Sequence, residues 1–69
     1  MNELNKIEAF KIFCLEMYKA DRKLTGEMAL TIFNKHQVFS YLEEGFEVLH
    51  TQGAAYILSE IVQFINSRQ

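Results

Sequence analysis

The 69-residue sequence has few of the residues that build a covalent or metal-based scaffold. Its one cysteine, Cys14, has no second cysteine to pair with, which excludes an intrachain disulfide. The two histidines, His36 and His50, form no Cys/His cluster with metal-ligand spacing, so we expect neither a metal nor a cofactor. A chain this short buries only ~60% of the surface that its unfolded form exposes. Self-association is therefore the remaining common way to stabilise it.

Other absences bear on location and partners. No apolar stretch approaches the ~18 residues that a membrane span needs. The N-terminus lacks the apolar run of a signal peptide, and a lone cysteine without an export signal indicates a reducing cytoplasm. The net charge of −2 gives no general attraction to nucleic acid or anionic lipid. We therefore expect a cytoplasmic protein that binds neither nucleic acid nor membrane.

The chain also lacks proline, low-complexity tracts, internal repeats and linker-like segments, while 49% of its residues are hydrophobic. Apolar residues recur at helical spacing almost throughout. We predict one all-α domain over residues 1–69, a compact bundle of four short helices at about 3–20, 26–35, 38–50 and 53–66.

Single residues within this scheme give further expectations. Thr25 is a good N-cap for the second helix, and Met28 is expected among its buried residues. Gly45 within the apolar face of the third helix costs up to about 1 kcal/mol relative to alanine. Close approach of another helix backbone is the expected compensation. His36, in a short polar connection, is expected to be an exposed loop residue.

The positions of several side chains predict contact with a partner. On the first helix, Ile12 and Leu15 fall within the charged sector, where they either meet a neighbouring helix or stay exposed for a partner. Tyr56 falls on the outward side of the last helix. The third helix carries a cluster of three carboxylates, Glu43, Glu44 and Glu47. The default interpretation is a solvated helix face, and the alternative is an acidic patch that docks a basic protein. The same glutamates, without Lys or Arg beside them, argue against a DNA-recognition helix, because phosphate contacts need cations.

The tetrapeptide His50-Thr51-Gln52-Gly53 joins the third and fourth predicted helices. As a corner, it places a His50 cation at a helix C-terminus, a Thr51 cap at the next helix start and a glycine at a sharp turn. The alternative is a small-ligand or catalytic site around His50, Gln52 and Tyr56. No catalytic triad, phosphate-binding glycine loop or zinc-protease motif supports catalysis, and Cys14 on the apolar stripe indicates core packing.

The run LHTQGAAYILSEIVQFI, from Leu49 to Ile65, resembles the C-terminal signature of a short bacterial domain-of-unknown-function family. The elements that carry the resemblance are Leu-His-Thr-Gln-Gly, Tyr-Ile, an acidic-Ile pair and a closing aromatic-Ile. Ala54 and Ala55 depart from it, since an acidic residue is expected after the glycine. The resemblance brings no activity and no catalytic residues. It implies an accessory protein of a bacterial gene pair, sometimes beside a predicted ADP-ribosyltransferase-like protein, and hence a toxin–antitoxin-like pairing.

The leading hypothesis is a non-enzymatic protein-interaction module, in its finer form an antitoxin-like partner of a neighbouring gene product. Its expected contact surface comprises Ile12, Leu15, Glu43, Glu44, Glu47 and Tyr56. One alternative is a structural homo-oligomer, a dimer without a separate ligand. The other is the small-ligand site at the corner.

Overall fold

The computed structural model describes the backbone of residues 3–68 and the side chains of residues 5–68; residues 1, 2 and 69 of the predicted domain lie outside it. The described chain forms five helices and no strand: α1 (Glu3–Arg22), α2 (Gly26–Lys35), α3 (Val38–Glu44), α4 (Phe46–Leu49) and α5 (Ala54–Ser67). The predicted all-α class is confirmed. The first, second and last predicted helices agree with the structure to within one or two residues at each end.

The prediction of one continuous third helix from 38 to 50 was wrong, because the chain turns at Gly45. Gly45 has φ −95° and ψ 7°, outside the α-helical values, and its carbonyl oxygen accepts both the Val48 N–H at 3.1 Å and the Leu49 N–H at 2.8 Å. A Cβ at Gly45 would lie 3.1 Å from Leu49 Cδ1 and 3.3 Å from the Tyr41 carbonyl oxygen. These neighbours belong to the adjoining turns, so the expected close approach of another helix was also wrong.

The hydrophobic core draws buried residues from all five helices. They recur every fourth residue in α1, α2, α3 and α5, the spacing that keeps side chains on one helical face. The core residues are Phe10, Cys14, Tyr18, Ala29, Phe33, Val38, Leu42, Phe46, Leu49, Ile57, Ile61 and Ile65. Helix α3 contacts each of the other four helices, and α1 contacts α2, α3 and α5, so these two helices lie at the centre of the packing.

Helix α2 confirms one expectation and overturns two. Thr25 is its N-cap, since Thr25 Oγ1 accepts the Met28 N–H at 3.1 Å. Met28 is exposed rather than buried, because Ala29 and Phe33 occupy the inward sector. His36 is only 8% exposed, so its assignment as an exposed loop residue was wrong. His36 and one further residue join α2 to α3; His36 is buried and the other residue is exposed.

That further residue, Gln37, has left-handed backbone angles, φ 57° and ψ 41°. A side chain in this region costs about 1 kcal/mol that glycine does not. We expect Gln37→Gly to raise the free energy of unfolding by about 0.5–1 kcal/mol, net of the greater unfolded-state entropy of glycine. Urea unfolding followed by circular dichroism measures the change.

The matched control is Gln63→Gly, which removes the same side chain from an exposed position within α5. Here the substitution should lower the free energy of unfolding by about 1 kcal/mol. Destabilisation by both substitutions would contradict the assignment of strain to Gln37.

Candidate functional site

His50, at the corner after α4, has a fixed ring. Its Nδ1 lies 2.6 Å from the Phe46 carbonyl oxygen. Because a carbonyl oxygen only accepts, Nδ1 carries the hydrogen and donates it. The imidazole also stacks on the Phe46 ring, with 4.3 Å between centroids and 10° between planes. The hydrogen bond and the stacking together hold the ring, and in the neutral imidazole Nε2 is the acceptor.

Thr51 serves the end of α4 and not the start of α5. Its Oγ1 donates to the Val48 carbonyl oxygen at 2.8 Å. The N-cap of α5 is Gly53, where no side chain caps the helix, so the predicted capping role of Thr51 was wrong. The last carbonyls of a helix lack partners within it. At the end of α4 the backbone N–H groups of residues 50–52 bond to these carbonyls, and the side chains of His50 and Thr51 add a second donor to two of them.

The corner forms one wall of an apolar groove of about 500 Å³, which we call the corner groove. The opposite wall is α1, and the groove also reaches the first turns of α5. Its lining consists of Lys6, Ala9, Phe10, Phe13, Phe46, His50, Gln52, Ala54 and Ile57. The four α1 residues are spaced i, i+3, i+4 and i+7, so they share one helical face.

The floor of the corner groove is aromatic and rigid. The buried rings of Phe10 and Phe46 meet edge to face, with centroids 5.5 Å apart and planes at 73°. Phe13 lines the groove but stays 48% exposed. About half of a large apolar side chain is therefore available to a docked molecule, and burying such a side chain fully contributes roughly 1.5–3 kcal/mol.

The polar side chains of the corner groove are Lys6, His50 and Gln52. None of the lining residues carries a hydroxyl, a thiol or a carboxylate. The Phe46 carbonyl oxygen holds the His50 Nδ1–H, and no hydroxyl or thiol lies among the lining residues for Nε2 to activate. The groove thus offers apolar surface with a few polar groups, the combination typical of recognition sites.

Of the predicted trio, the structure brings together His50 and Gln52 but not Tyr56. Ile57 lines the groove, and Tyr56, one residue earlier, is turned about 100° away around α5. Tyr56 is exposed, as its position on the outward side predicted.

Burial, with smaller contributions from Glu60 and Tyr56, raises the pKa of Tyr41, which stacks on Phe64 at 4.1 Å between centroids.

The two apolar residues predicted in the charged sector of α1 have different environments. Ile12 is exposed, whereas Leu15 is half-buried and packs against the core. Ile12 therefore remains a candidate contact residue. A polar substitution at Leu15 would disturb the fold as well as any interface.

Of the three clustered glutamates, Glu43 forms an ion pair with α1 and the other two do not. Lys11 Nζ lies 3.0 Å from Glu8 and 3.0 Å from Glu43, and these hydrogen bonds, Glu8 first, raise the pKa of Lys11. Glu43 therefore joins α3 to α1, while Glu44 and Glu47 are exposed. None of the three glutamates lines the corner groove.

A second depression, of about 310 Å³, lies between the C-terminal parts of α1 and α5. It is lined in part by Tyr18, Arg22 and Leu24. The Arg22 guanidinium lies over the Tyr18 ring, 5.9 Å from its centroid, and covers apolar surface there. The corner groove is larger and leaves its aromatic side chain uncovered, so it is the stronger candidate site.

The described residues provide neither a metal-binding cluster nor a membrane-spanning helix. Among the described residues, no three His, Cys, Asp or Glu side chains lie close enough to hold a metal ion. No helix within the described residues is long and apolar enough to cross a membrane. Cys14 is fully buried, as expected of a core residue, and burial raises the pKa of its thiol to about 12.

Sequence reasoning missed most of the groove and several exposed apolar residues. Phe13 lies at the edge of the α1 stripe, about 60° from Phe10, which was a signal that it need not be buried. Val48 and Leu30 are also exposed. No local pattern pairs Lys6 or Phe13 with His50, since about forty residues separate them and only packing brings them together.

Comparison with known proteins gives one family. A family model described as "Protein of unknown function (DUF3791)" matches residues 9–68. No curated protein matches the chain, and no solved structure matches it.

Proposed function

From the surface of this chain, which belongs to the DUF3791 family of unknown function, we propose that the protein is a non-enzymatic protein-interaction module. Its partner binds in the corner groove. The observation that carries this proposal is the exposure of about half of the Phe13 side chain beside the buried rings of Phe10 and Phe46. A concave apolar surface with a few polar groups is typical of binding sites.

The chemistry of the groove supports binding over catalysis. Aromatic side chains are enriched among the residues that dominate interface energies, and the groove holds three of them. The fixed His50 ring and the Gln52 amide add polar groups that can orient a bound chain. The lining provides no nucleophile for His50 to activate.

The partner in the finer form of the proposal is the product of a neighbouring gene, and the protein acts on it as an antitoxin acts on a toxin. This part rests on the family resemblance of the run from Leu49 to Ile65. The corner groove supports it, because that run contributes four of the lining residues, His50, Gln52, Ala54 and Ile57. In such a pair, binding would be tight and would suppress the toxicity of the partner.

The test compares Phe13→Ser with Leu30→Ser. Both residues are exposed apolar side chains on helices, 48% and 42% exposed, but only Phe13 lines the groove. We expect Phe13→Ser to abolish co-purification with the co-expressed neighbouring gene product, and Leu30→Ser to preserve it. Growth of the co-expressing cells gives the antitoxin readout. Thermal unfolding checks that both variants are folded.

Retention of the complex by folded Phe13→Ser would contradict docking in the groove. The homo-oligomer alternative is favoured by the other exposed apolar residues, Ile12, Met28, Val48 and Tyr56. Light scattering at micromolar concentration separates it. A dilution-resistant dimer that Phe13→Ser dissociates would make the groove an interface between two copies of the chain.

A further inference from the structure

The charge of the corner groove is opposite to that of the whole chain. The protein has nine acidic and seven basic residues, yet none of the residues that line the groove is acidic. Lys6 is the one charged residue among them apart from the titratable His50. A carboxylate brought to the groove would therefore be attracted by Lys6, and a cation would be repelled by it.

The length of the groove also limits what it can hold. Lys6 and Phe13 mark its ends along α1, about 10 Å apart at 1.5 Å per residue. This distance spans about two turns of a second helix at 5.4 Å per turn. Two large apolar side chains spaced i and i+4 on such a helix would enter a groove of about 500 Å³.

We propose that the corner groove binds the apolar face of an acidic amphipathic helix of another protein. Apolar side chains one turn apart pack on Phe10, Phe13 and Phe46, and a carboxylate on the flank of the helix pairs with Lys6 Nζ. This inference rests on the proposed function and adds the chemistry of the partner. The apolar contacts supply the affinity, and the Lys6 ion pair selects acidic over basic partners.

The experiment uses two synthetic peptides of about four helical turns. Both carry leucine and phenylalanine on one face; one has glutamate on the flanks of that face and the other has lysine. Two-dimensional NMR of the whole ¹⁵N-labelled protein measures their dissociation constants and locates the shifted amides. We expect the glutamate peptide to bind about twofold to fivefold more tightly, and its shifts to cluster at residues 9–13 and 50–57.

Charge reversal at Lys6 provides the specificity control. In Lys6→Glu, the order of the two affinities should reverse. In Lys23→Glu, which changes the same charge outside the groove, the order should stay that of the unmodified protein. Lys6 and Lys23 are both exposed, so neither substitution should unfold the chain.

The outcomes separate the two proposals. Equal affinity for both peptides at the groove amides would overturn the acidic preference and leave groove docking intact. Shifts elsewhere, or no shifts with either peptide, would overturn docking itself. Groove amides that shift on dilution of the protein alone would identify a second copy as the occupant, and this too would overturn the inference.

Discussion

Replacing Phe33 by alanine should lower the free energy of unfolding by about 3–5 kcal/mol. Phe33 is fully buried, and its ring lies between two others, with centroids 5.4 Å from Tyr18 and 5.3 Å from Phe39. The substitution would leave a cavity where α1, α2 and α3 meet, and it would remove two aromatic contacts. A 69-residue domain has only about 3–10 kcal/mol of stability in total, so the substitution should remove at least roughly a third of it.

The matched control for this prediction is Phe13→Ala. The same atoms are removed from a side chain that is half exposed, so the cost should be about 1 kcal/mol, partly offset by the better helix propensity of alanine. Urea unfolding followed by circular dichroism gives both values. Equal decreases in the free energy of unfolding would mean that Phe13 contributes as much to the core as Phe33 does. The corner groove would then be part of the core and not a binding surface.

The Cys14 thiol should react with a thiol reagent several orders of magnitude more slowly in the folded protein than in the unfolded chain at pH 8, because a fully buried thiol is reached only when the fold opens. Burial raises its pKa from 9.0 to about 12, which lowers the thiolate fraction by about three orders of magnitude. The side chain is also fully inaccessible. The measurement is the rate of reaction with a chromogenic disulfide in buffer and in urea. A fast reaction in buffer would show that α1 opens readily.

The same burial makes stability depend on alkaline pH. The pKa of Cys14 is higher in the folded protein than in the unfolded chain, so folding favours the protonated thiol. Its contribution to stability is complete below about pH 9 and is lost as the pH rises toward 12. Tyr41 and Lys11, whose pKa values are also raised, act in the same direction.

A Cys14→Ala variant tests this origin of the alkaline decline. The substitution removes the thiol, so the free energy of unfolding should fall less steeply between pH 9 and 12 than in the unmodified protein. Tyr41 and Lys11 would still cause a residual decline. Identical slopes for the two proteins would contradict the assignment to Cys14.

Two of the nine residues that line the corner groove were identified as site residues from the sequence. His50 and Gln52 stood out because titratable and amide side chains gathered around a glycine at a helix end. Lys6, Phe13 and Phe46 were not accessible, because they reach the same groove from other helices. Tyr56 was assigned to that site from its closeness in sequence, and the rotation of a helix places it elsewhere.

Local interactions are what the sequence alone determined. The 3.6-residue period defined the helices, the Thr25 hydroxyl capped α2, and the Glu8–Lys11 pair formed at 3.0 Å, because each depends on residues within one helical turn. Tertiary structure decided the burial of His36 and the exposure of Met28. Each of these depends on how elements distant in sequence divide a limited buried volume. The corner groove arises in the same way, where α1 and the His50 corner pack side by side without filling the space between them.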